Sequence, residues 1–484
     1  MPFNSDIKIV AKALEQFHKD SISRSKPVIN QQGLEQIITE LNLGFFAREG
    51  GLSGKALELF LAKYFDYVTR LHHPHYLGHQ CAPPYYSSAL GTLINGFANN
   101  VSSIFEMAPA SASIEHFIIN WMLEKVGWEK AVLGRFTEND LSPHGGGILV
   151  NGGSIANLTA LVMARSRAFP EIWKEGNPSN LAILLPAQSH YSLTKAAGIL
   201  GIGANSVYFL EVDDNGKVRP EKITNTLKRT IDNGQIPIAL AANACSTSVG
   251  LYDPLDELGD FCNENGIWFH VDGAHGASAL LSEKHKRLLK GVEKADSLVW
   301  DAHKLLQTPS LCAALLVRNH NYLDNGFKLY QDASYIFHEK DQPGFDSIQH
   351  TIETTKSGLG EQLFFVMGAI GEKGLSDYLD HKYQLTLEAH EYISNCPDFE
   401  CPVFPESNIL CFRVAGDDKL QLDIRNRLTV ERKFYITTVI FKAKRYLRLV
   451  FMSPNTTLNT VKELVQEISR LKKIVCSNVP SQTR

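Results

Sequence analysis

Between Gly147 and Val317 the chain alternates short, largely apolar runs with longer segments that carry apolar residues on one face. The runs are Ile148–Asn151, Leu181–Leu185, Val207–Val212, Ile236–Ala242, Ile267–Val271, Ser297–Trp300 and Ala313–Val317. Between several of them lie Ile155–Arg167, Ser192–Leu200, Pro220–Asp232 and Pro254–Asn265, which have helical spacing. A strand that is apolar along its whole length must be covered on both faces, and strand–helix alternation supplies that cover. The pattern predicts an α/β domain with a mostly parallel central sheet covered by helices.

The flanking segments read differently. Gly33–Leu43 and Gly54–Leu71 repeat apolar residues at helical intervals, and a Pro- and His-rich passage, His72–Pro84, then interrupts regular structure. A helical stretch runs from about Ser87 to Gly127. After Asn319 the chain is loop-rich to about Thr355, followed by a long helical stretch, Gly360–Tyr392. Strand-like runs at Ile409–Val414 and Leu447–Phe451 and a final helix, Leu458–Lys472, close the chain. The expected organisation is an N-terminal helical arm (1–85), a large α/β domain (86–325), a loop or lid with a connecting helix (326–370) and a small α+β domain (371–484).

Composition narrows the function classes. The chain has 484 residues, 44% hydrophobic and 21% charged, which is globular and long enough to bury a core without metal or disulfide staples. A net charge of −4 offers no broad basic field for nucleic acid or a membrane surface. The apolar runs are too short to span a bilayer. Eight cysteines lie scattered without a CxxC pair, which argues against a zinc site or a disulfide framework and suits a reducing compartment. Met1–Asp6 does not read as a signal peptide, so the expected location is cytoplasmic; with no CxxC pair, no metal is expected.

Three clusters fall at strand ends, where open α/β sheets bind ligands. Asp272 closes Ile267–Val271 and is followed by Gly273 and Ala274, the latter small enough to let a flat ring lie against it. Such a carboxylate can keep a heterocyclic nitrogen protonated; it can equally cap a following helix. Lys304 follows Ser297–Trp300 and suits a Schiff-base lysine, although most lysines are solvated. Gly152-Gly153-Ser154 follows the first run and opens a helix, where backbone N–H groups can receive a phosphate; a plain Ser N-cap is the alternative. Neither GxGxxG nor GxxxxGK[ST] occurs, which disfavours nucleotides. With His190 just past Leu181–Leu185 as a ring-facing group, the set matches what pyridoxal 5′-phosphate needs.

These residues, together with His73-Pro74-His75-Tyr76, Ser189–Ser192, His270–Gly276 and Asp301-Ala302-His303-Lys304, resemble the group II pyridoxal phosphate-dependent decarboxylases. That family includes the glutamate, cysteine sulfinate, 2,4-diaminobutyrate and aromatic amino acid enzymes. The resemblance covers Leu71 to Arg318 well and the C-terminal domain loosely. It implies a fold type I enzyme in which Lys304 carries the cofactor aldehyde, Asp272 pairs with the ring nitrogen, and His190 and Ala274 lie on the two ring faces. It further implies that Gly153, Ser154 and His303 hold the phosphate and that Asn157 and Thr247 lie near the cofactor. Arg448 resembles an Arg that binds a substrate carboxylate, and His79 stands at a substrate-contacting position. Lys356, where many relatives carry Arg, is expected to meet an acidic side chain. The implied assembly is a homodimer with its active site at the interface, the arm Gly54–Leu71 burying its apolar face on the partner.

One departure bears on the reaction. Relatives carry a mobile loop with a Tyr that protonates the substrate carbon. Here the loop starts at Ala333-Ser334-Tyr335-Ile336-Phe337, and no further Tyr precedes Lys356. Phe345 cannot deliver a proton, so His350 is the expected donor, on a mobile lid spanning Tyr330–Lys356. The reaction expected is decarboxylation of a small polar amino acid, 2,4-diaminobutyrate-like or acidic, such as glutamate. The alternatives are a decarboxylating oxidative deaminase, which forms an aldehyde, and another fold type I lyase.

Overall fold

The computed structural model describes residues 3–131, 144–327, 344 and 346–477. The chain divides into two compact units, Pro84–Tyr383 and a second built from Met1–Pro83 with Gln384–Arg484.

The first unit holds a seven-stranded sheet. Its strands are β1 (Gly146–Val150), β2 (Leu181–Pro186), β3 (Val207–Leu210), β4 (Ile236–Asn243), β5 (Trp268–Asp272), β6 (Ser297–Asp301) and β7 (Ala313–Val317), in the order β1-β7-β6-β5-β4-β2-β3. The pairs from β6 through β5, β4 and β2 to β3 are parallel. Only β7 runs antiparallel to its neighbours, β1 and β6. Every residue of β1, β2, β5, β6 and β7 is buried, as their continuous apolar character requires of strands covered on both faces. Against this sheet lies the helix Gly153–Ala168, buried on nearly all sides, with Ala156, Ala160, Leu161 and Met163 in one core with Ile183, Ala239 and Leu315. The larger of these side chains, Leu161, Met163, Ile183 and Leu315, each contribute about 1.5–3 kcal/mol on leaving water.

The helix Tyr86–Ala98 inverts this logic. Its buried positions are Ser87, Ser88 and Gly91. Tyr86, Leu90, Leu93, Ile94 and Phe97, spaced to form one stripe, are between 43% and 69% exposed. A Cβ at Gly91 would stand 2.7 Å from the Glu361 carbonyl oxygen, so the buried face is narrow by necessity.

The second unit has an antiparallel sheet of β8 (Phe399–Glu400), β9 (Ile409–Val414), β10 (Thr437–Phe441) and β11 (Lys444–Val450), in the order β10-β11-β9-β8. Helices Asp418–Val430 and Leu458–Ser477 share its core through Ile424, Leu428, Leu464 and Ile468, and Leu77 from the N-terminal segment joins the same core. The N-terminal helices Phe3–Ile22 and Gly54–Tyr67 pack together, with the Phe17 and Phe65 ring centroids 4.8 Å apart. The long helical stretch Gly360–Ser394 is broken at Gly371, which has a φ of 64°.

Candidate active site

Because β1, β2, β4, β5 and β6 run the same way, their carboxyl ends gather at one edge of the sheet. Register makes this concrete: Val150 and Asp301 both pair with Ala313, and Asp272 lies between Asn243 and Val299. The turns leaving these ends enclose a cavity of about 320 Å³. Gly152, Gly153, Ser154, Asn157, His190, Thr247, Asp272, Ala274, His303 and Lys304 line it, together with Asn151, Cys245, His275, Asp301 and Leu311.

The glycines at the end of β1 are needed for different reasons. Gly152 has a φ of 95°, a backbone state in which L side chains are strained. Gly153 opens the helix, and a Cβ there would meet both carboxylate oxygens of Asp301 at 2.9 Å. The first turn of that helix thus brings unpaired N–H groups and the Ser154 hydroxyl to the cavity, an anion site by construction.

Asp272 accepts from the Ala274 N–H at Oδ1 (3.2 Å) and from Asn157 Nδ2 at Oδ2 (2.9 Å). A carboxylate has lone pairs beyond these two, available to a donor in the cavity. Lys304 Nζ stands 3.1 Å from Asp301 Oδ2. Burial pulls the Lys304 pKa down, but Asp301 and Asp272 outweigh it and leave it above the ordinary lysine value. The other oxygen of Asp301, Oδ1, is buried without a hydrogen-bond partner among the described residues. His303 donates through Nδ1 to the Cys312 carbonyl (2.8 Å), and its Nε2 lies 3.6 Å from Asp301 Oδ2. His190 caps the helix Tyr191–Ile199, its Nδ1 accepting from the Ser192 N–H at 3.3 Å. Burial lowers the His190 pKa, against the pull of Asp272.

Three expected residues are not in this cavity. His79 and Arg448 lie in the other unit, side by side: Arg448 donates to the Gly78 carbonyl (3.4 Å) and to Gln80 Oε1 (3.2 Å), and His79 Nε2 meets the Tyr435 hydroxyl at 3.0 Å. Burial and the Arg448 charge lower the His79 pKa. His350 pairs through Nε2 with Asp324 Oδ1 at 2.8 Å. Asp324 belongs to the helix Asn321–Gly326, just beyond β7, whose last residue pairs with Gly146 at the end of the sheet remote from the cavity. In this arrangement His350 does not line the cavity that holds Lys304. The other expectations for this loop, at Tyr335 and Phe345 and for most of the lid, lie outside the described residues. Lys356 does not face a substrate: it is fully buried, 2.5 Å from Glu115 Oε1.

Two contributors escaped the reading of the sequence. Asp301 carries a signal in the sequence, a carboxylate ending an apolar strand, the same one that marks Asp272. His270 lies mid-strand and marked no turn, yet its ring contacts Asn157.

Comparison with known proteins agrees with this arrangement. The family model described as the pyridoxal-dependent decarboxylase conserved domain matches residues 62–415. The acidic amino acid decarboxylase GADL1 of Mus musculus is 30% identical over 393 residues, which is 80% of this chain and 68% of that protein. An aromatic-L-amino-acid decarboxylase of Bacillus atrophaeus is 26% identical over 466 residues, covering 94% and 93%. The crystal structure of mouse CSAD superposes with a TM-score of 0.87 at 25% identity, over 97% of this chain and 99% of that one.

Proposed function

Because the chain belongs to the pyridoxal-dependent decarboxylase family, and is therefore a pyridoxal 5′-phosphate-dependent carboxy-lyase, we propose that it removes the α-carboxylate of a small acidic or polar amino acid. The observation that carries the site assignment is the convergence of Lys304, Asp272, His190 and the Gly152–Ser154 turn on one cavity. The cavity fits the cofactor: an anion site at a helix N-terminus whose Gly153 has no room for a Cβ beside Asp301, a carboxylate with spare lone pairs, and a lysine beside it.

In this reading Lys304 takes the cofactor aldehyde, and Gly153, Ser154 and His303 hold its phosphate. Asp272 faces the ring nitrogen, Ala274 and His190 flank the ring, and Asn157 and Thr247 complete the wall. Bound pyridoxal phosphate supplies a protonated ring that accepts the electron pair left when CO₂ departs. Asp272 keeps the ring nitrogen protonated by its charge. Before the cofactor is bound, Asp301 holds Lys304 as an ammonium, so Lys304 must give up a proton to become a nucleophile. Buried Arg448, with His79 beside it, is the residue we assign to a substrate carboxylate. The name of the 30% identical relative, an acidic amino acid decarboxylase, supports an acidic substrate.

The active form in this reading is a homodimer. The apolar stripe of Tyr86–Ala98 supports it, since an exposed face of that kind needs a cover. That helix begins beside the active-site loop: the Tyr85 N–H donates to the Gln307 carbonyl at 2.9 Å, three residues beyond Lys304. Leu311, which lines the cavity, is itself 48% exposed. A second copy on this face would reach the cavity rim. Gly54–Tyr67, which has no fully buried residue, offers further area. No helix among the described residues is long and apolar enough to cross a membrane. The eight cysteines are free thiols, which supports a reducing compartment such as the cytoplasm.

A second reading, decarboxylating oxidative deamination, is favoured by one observation: no Tyr occurs between Ile336 and Lys356. A panel of acidic, small polar and aromatic amino acids, assayed for CO₂, amine, aldehyde and H₂O₂, tests both. Equal CO₂ and amine from an acidic or small polar substrate is the expected result. Stoichiometric aldehyde and peroxide would establish the second reading, and turnover of aromatic substrates alone would overturn the proposed specificity.

A further inference from the structure

Behind the cavity wall runs a buried chain of hydrogen bonds whose every donor and acceptor can be assigned from one fixed point. Asn157 sends Nδ2 to Asp272 Oδ2 (2.9 Å) and to Ser192 Oγ (3.0 Å), while its Oδ1 meets His270 Nε2 (2.8 Å). His270 Nδ1 meets Ser297 Oγ (2.8 Å), which in turn receives the Trp268 indole N–H (2.9 Å). Ser192 Oγ meets His190 Nδ1 at 2.8 Å.

A carboxylate only accepts, so the Asn157 atom facing Asp272 must be the amide nitrogen. Its oxygen then faces His270, whose Nε2 must carry a hydrogen. Burial keeps the His270 ring neutral, so Nδ1 is an acceptor and the Ser297 hydroxyl donates to it. The indole N–H satisfies the remaining lone pair of that hydroxyl. On the other branch, Ser192 Oγ accepts from Asn157, and its own hydrogen goes to His190 Nδ1. The Ser192 backbone N–H points at the same nitrogen (3.3 Å), an independent sign that Nδ1 accepts. His190 therefore carries its hydrogen on Nε2.

We propose that His270 and Asn157 are positioning residues of this enzyme, a buried relay that fixes the Asp272 carboxylate for the ring nitrogen and sets His190 as an Nε2–H donor. Neither His270 nor Ser297 lines the cavity. They act through Asn157, whose amide without His270 is free to turn its oxygen toward Asp272. That orientation sets two acceptors against each other and withdraws the carboxylate from the cofactor. The relay rests on the pyridoxal phosphate reading of the cavity.

The test uses the reconstituted full chain and reads cofactor affinity by fluorescence and the visible absorption of the bound cofactor across pH. His270→Phe keeps a ring and removes both nitrogens. It should weaken pyridoxal phosphate binding roughly tenfold to a hundredfold, the effect of one buried group left unpaired. It should also shift the pH at which the bound cofactor changes colour. His270→Gln can donate to Asn157 and accept from Ser297, and should return both readouts to within about threefold of the parent. Rescue of this polarity-specific kind separates positioning from packing. If His270→Phe does not fold, Ser297→Ala frees the His270 tautomer with little change of shape and should weaken binding several-fold in the same direction. Parental affinity and pH profile in His270→Phe, or in Ser297→Ala where it must stand in, would overturn the proposal. So would a His270→Gln variant as weak as His270→Phe. A parent chain that binds no pyridoxal phosphate would instead overturn the reading of the cavity.

Discussion

Lys356→Met isolates a buried carboxylate. The Lys356 ammonium is 2.5 Å from Glu115 Oε1, with the two side chains 0% and 3% exposed. The same oxygen accepts the Leu149 N–H at 2.9 Å, and Glu115 Oε2 has no hydrogen-bond partner among the described residues. The ammonium is therefore the main compensation for a charge held against β1, the strand that leads into the Gly152–Ser154 turn. Breaking one side of such a pair costs about 3–5 kcal/mol. With an unfolding entropy of about 2.1 cal/mol/K per residue, the unit Pro84–Tyr383, roughly 300 residues, should melt about 5–8 °C lower. Glu115→Gln combined with Lys356→Met should recover at least half of the loss, because the uncompensated charge is gone. Thermal unfolding of the four forms, followed by circular dichroism, measures the cycle, and KM for the best substrate is read alongside. KM should be unchanged, since Lys356 does not line the cavity that holds Lys304. A Lys356→Met variant with the parental melting temperature, or one whose only change is a tenfold rise in KM, would refute the reasoning.

Other consequences follow from the same geometry. Asp272→Asn should lower the decarboxylation rate by roughly 10²–10⁴ while leaving the fold intact, because the charge opposite the ring nitrogen is lost; single-turnover kinetics of the reconstituted variant checks this. Leu90→Asp with Phe97→Asp places charges on the exposed stripe of Tyr86–Ala98 and should convert a dimer to monomers in sedimentation, whereas an unchanged sedimentation coefficient would move the interface elsewhere. Burial pushes the His270 pKa down from 6.5 to about 4, so the unfolded chain takes up the proton first as pH falls. Stability present in full above pH 6.5 should decline between about 6.5 and 4, and His270→Gln should flatten that slope in urea titrations.

The large sheet was legible because most of its strands are buried on both faces and so are largely apolar along their length. Parallel strands send their carboxyl ends to one edge, which is why Asp272, Lys304 and Gly152–Ser154, far apart in the chain, gather there. The direction of β7 was not legible, since a buried antiparallel strand has the same texture as a parallel one. Helix Asp418–Val430 escaped notice because its core contacts are few, Leu420, Ile424 and Leu428, among polar residues. That Met1–Pro83 and Gln384–Arg484 form one unit is a long-range fact that no local period records. Imidazole chemistry recommends His350, and no local pattern in the sequence records its pairing with Asp324. His270 was hidden by its own burial, because a polar residue within a strand gives no signal until its partners are known.

The most direct test of the central claim is covalent. The chain is reconstituted with pyridoxal 5′-phosphate, reduced with borohydride, digested, and the peptides are sequenced by mass spectrometry. A single pyridoxyl group on Lys304, absent from Lys304→Ala along with the visible absorption and all decarboxylation, is the predicted result. Modification of another lysine, or full turnover by Lys304→Ala, would contradict it.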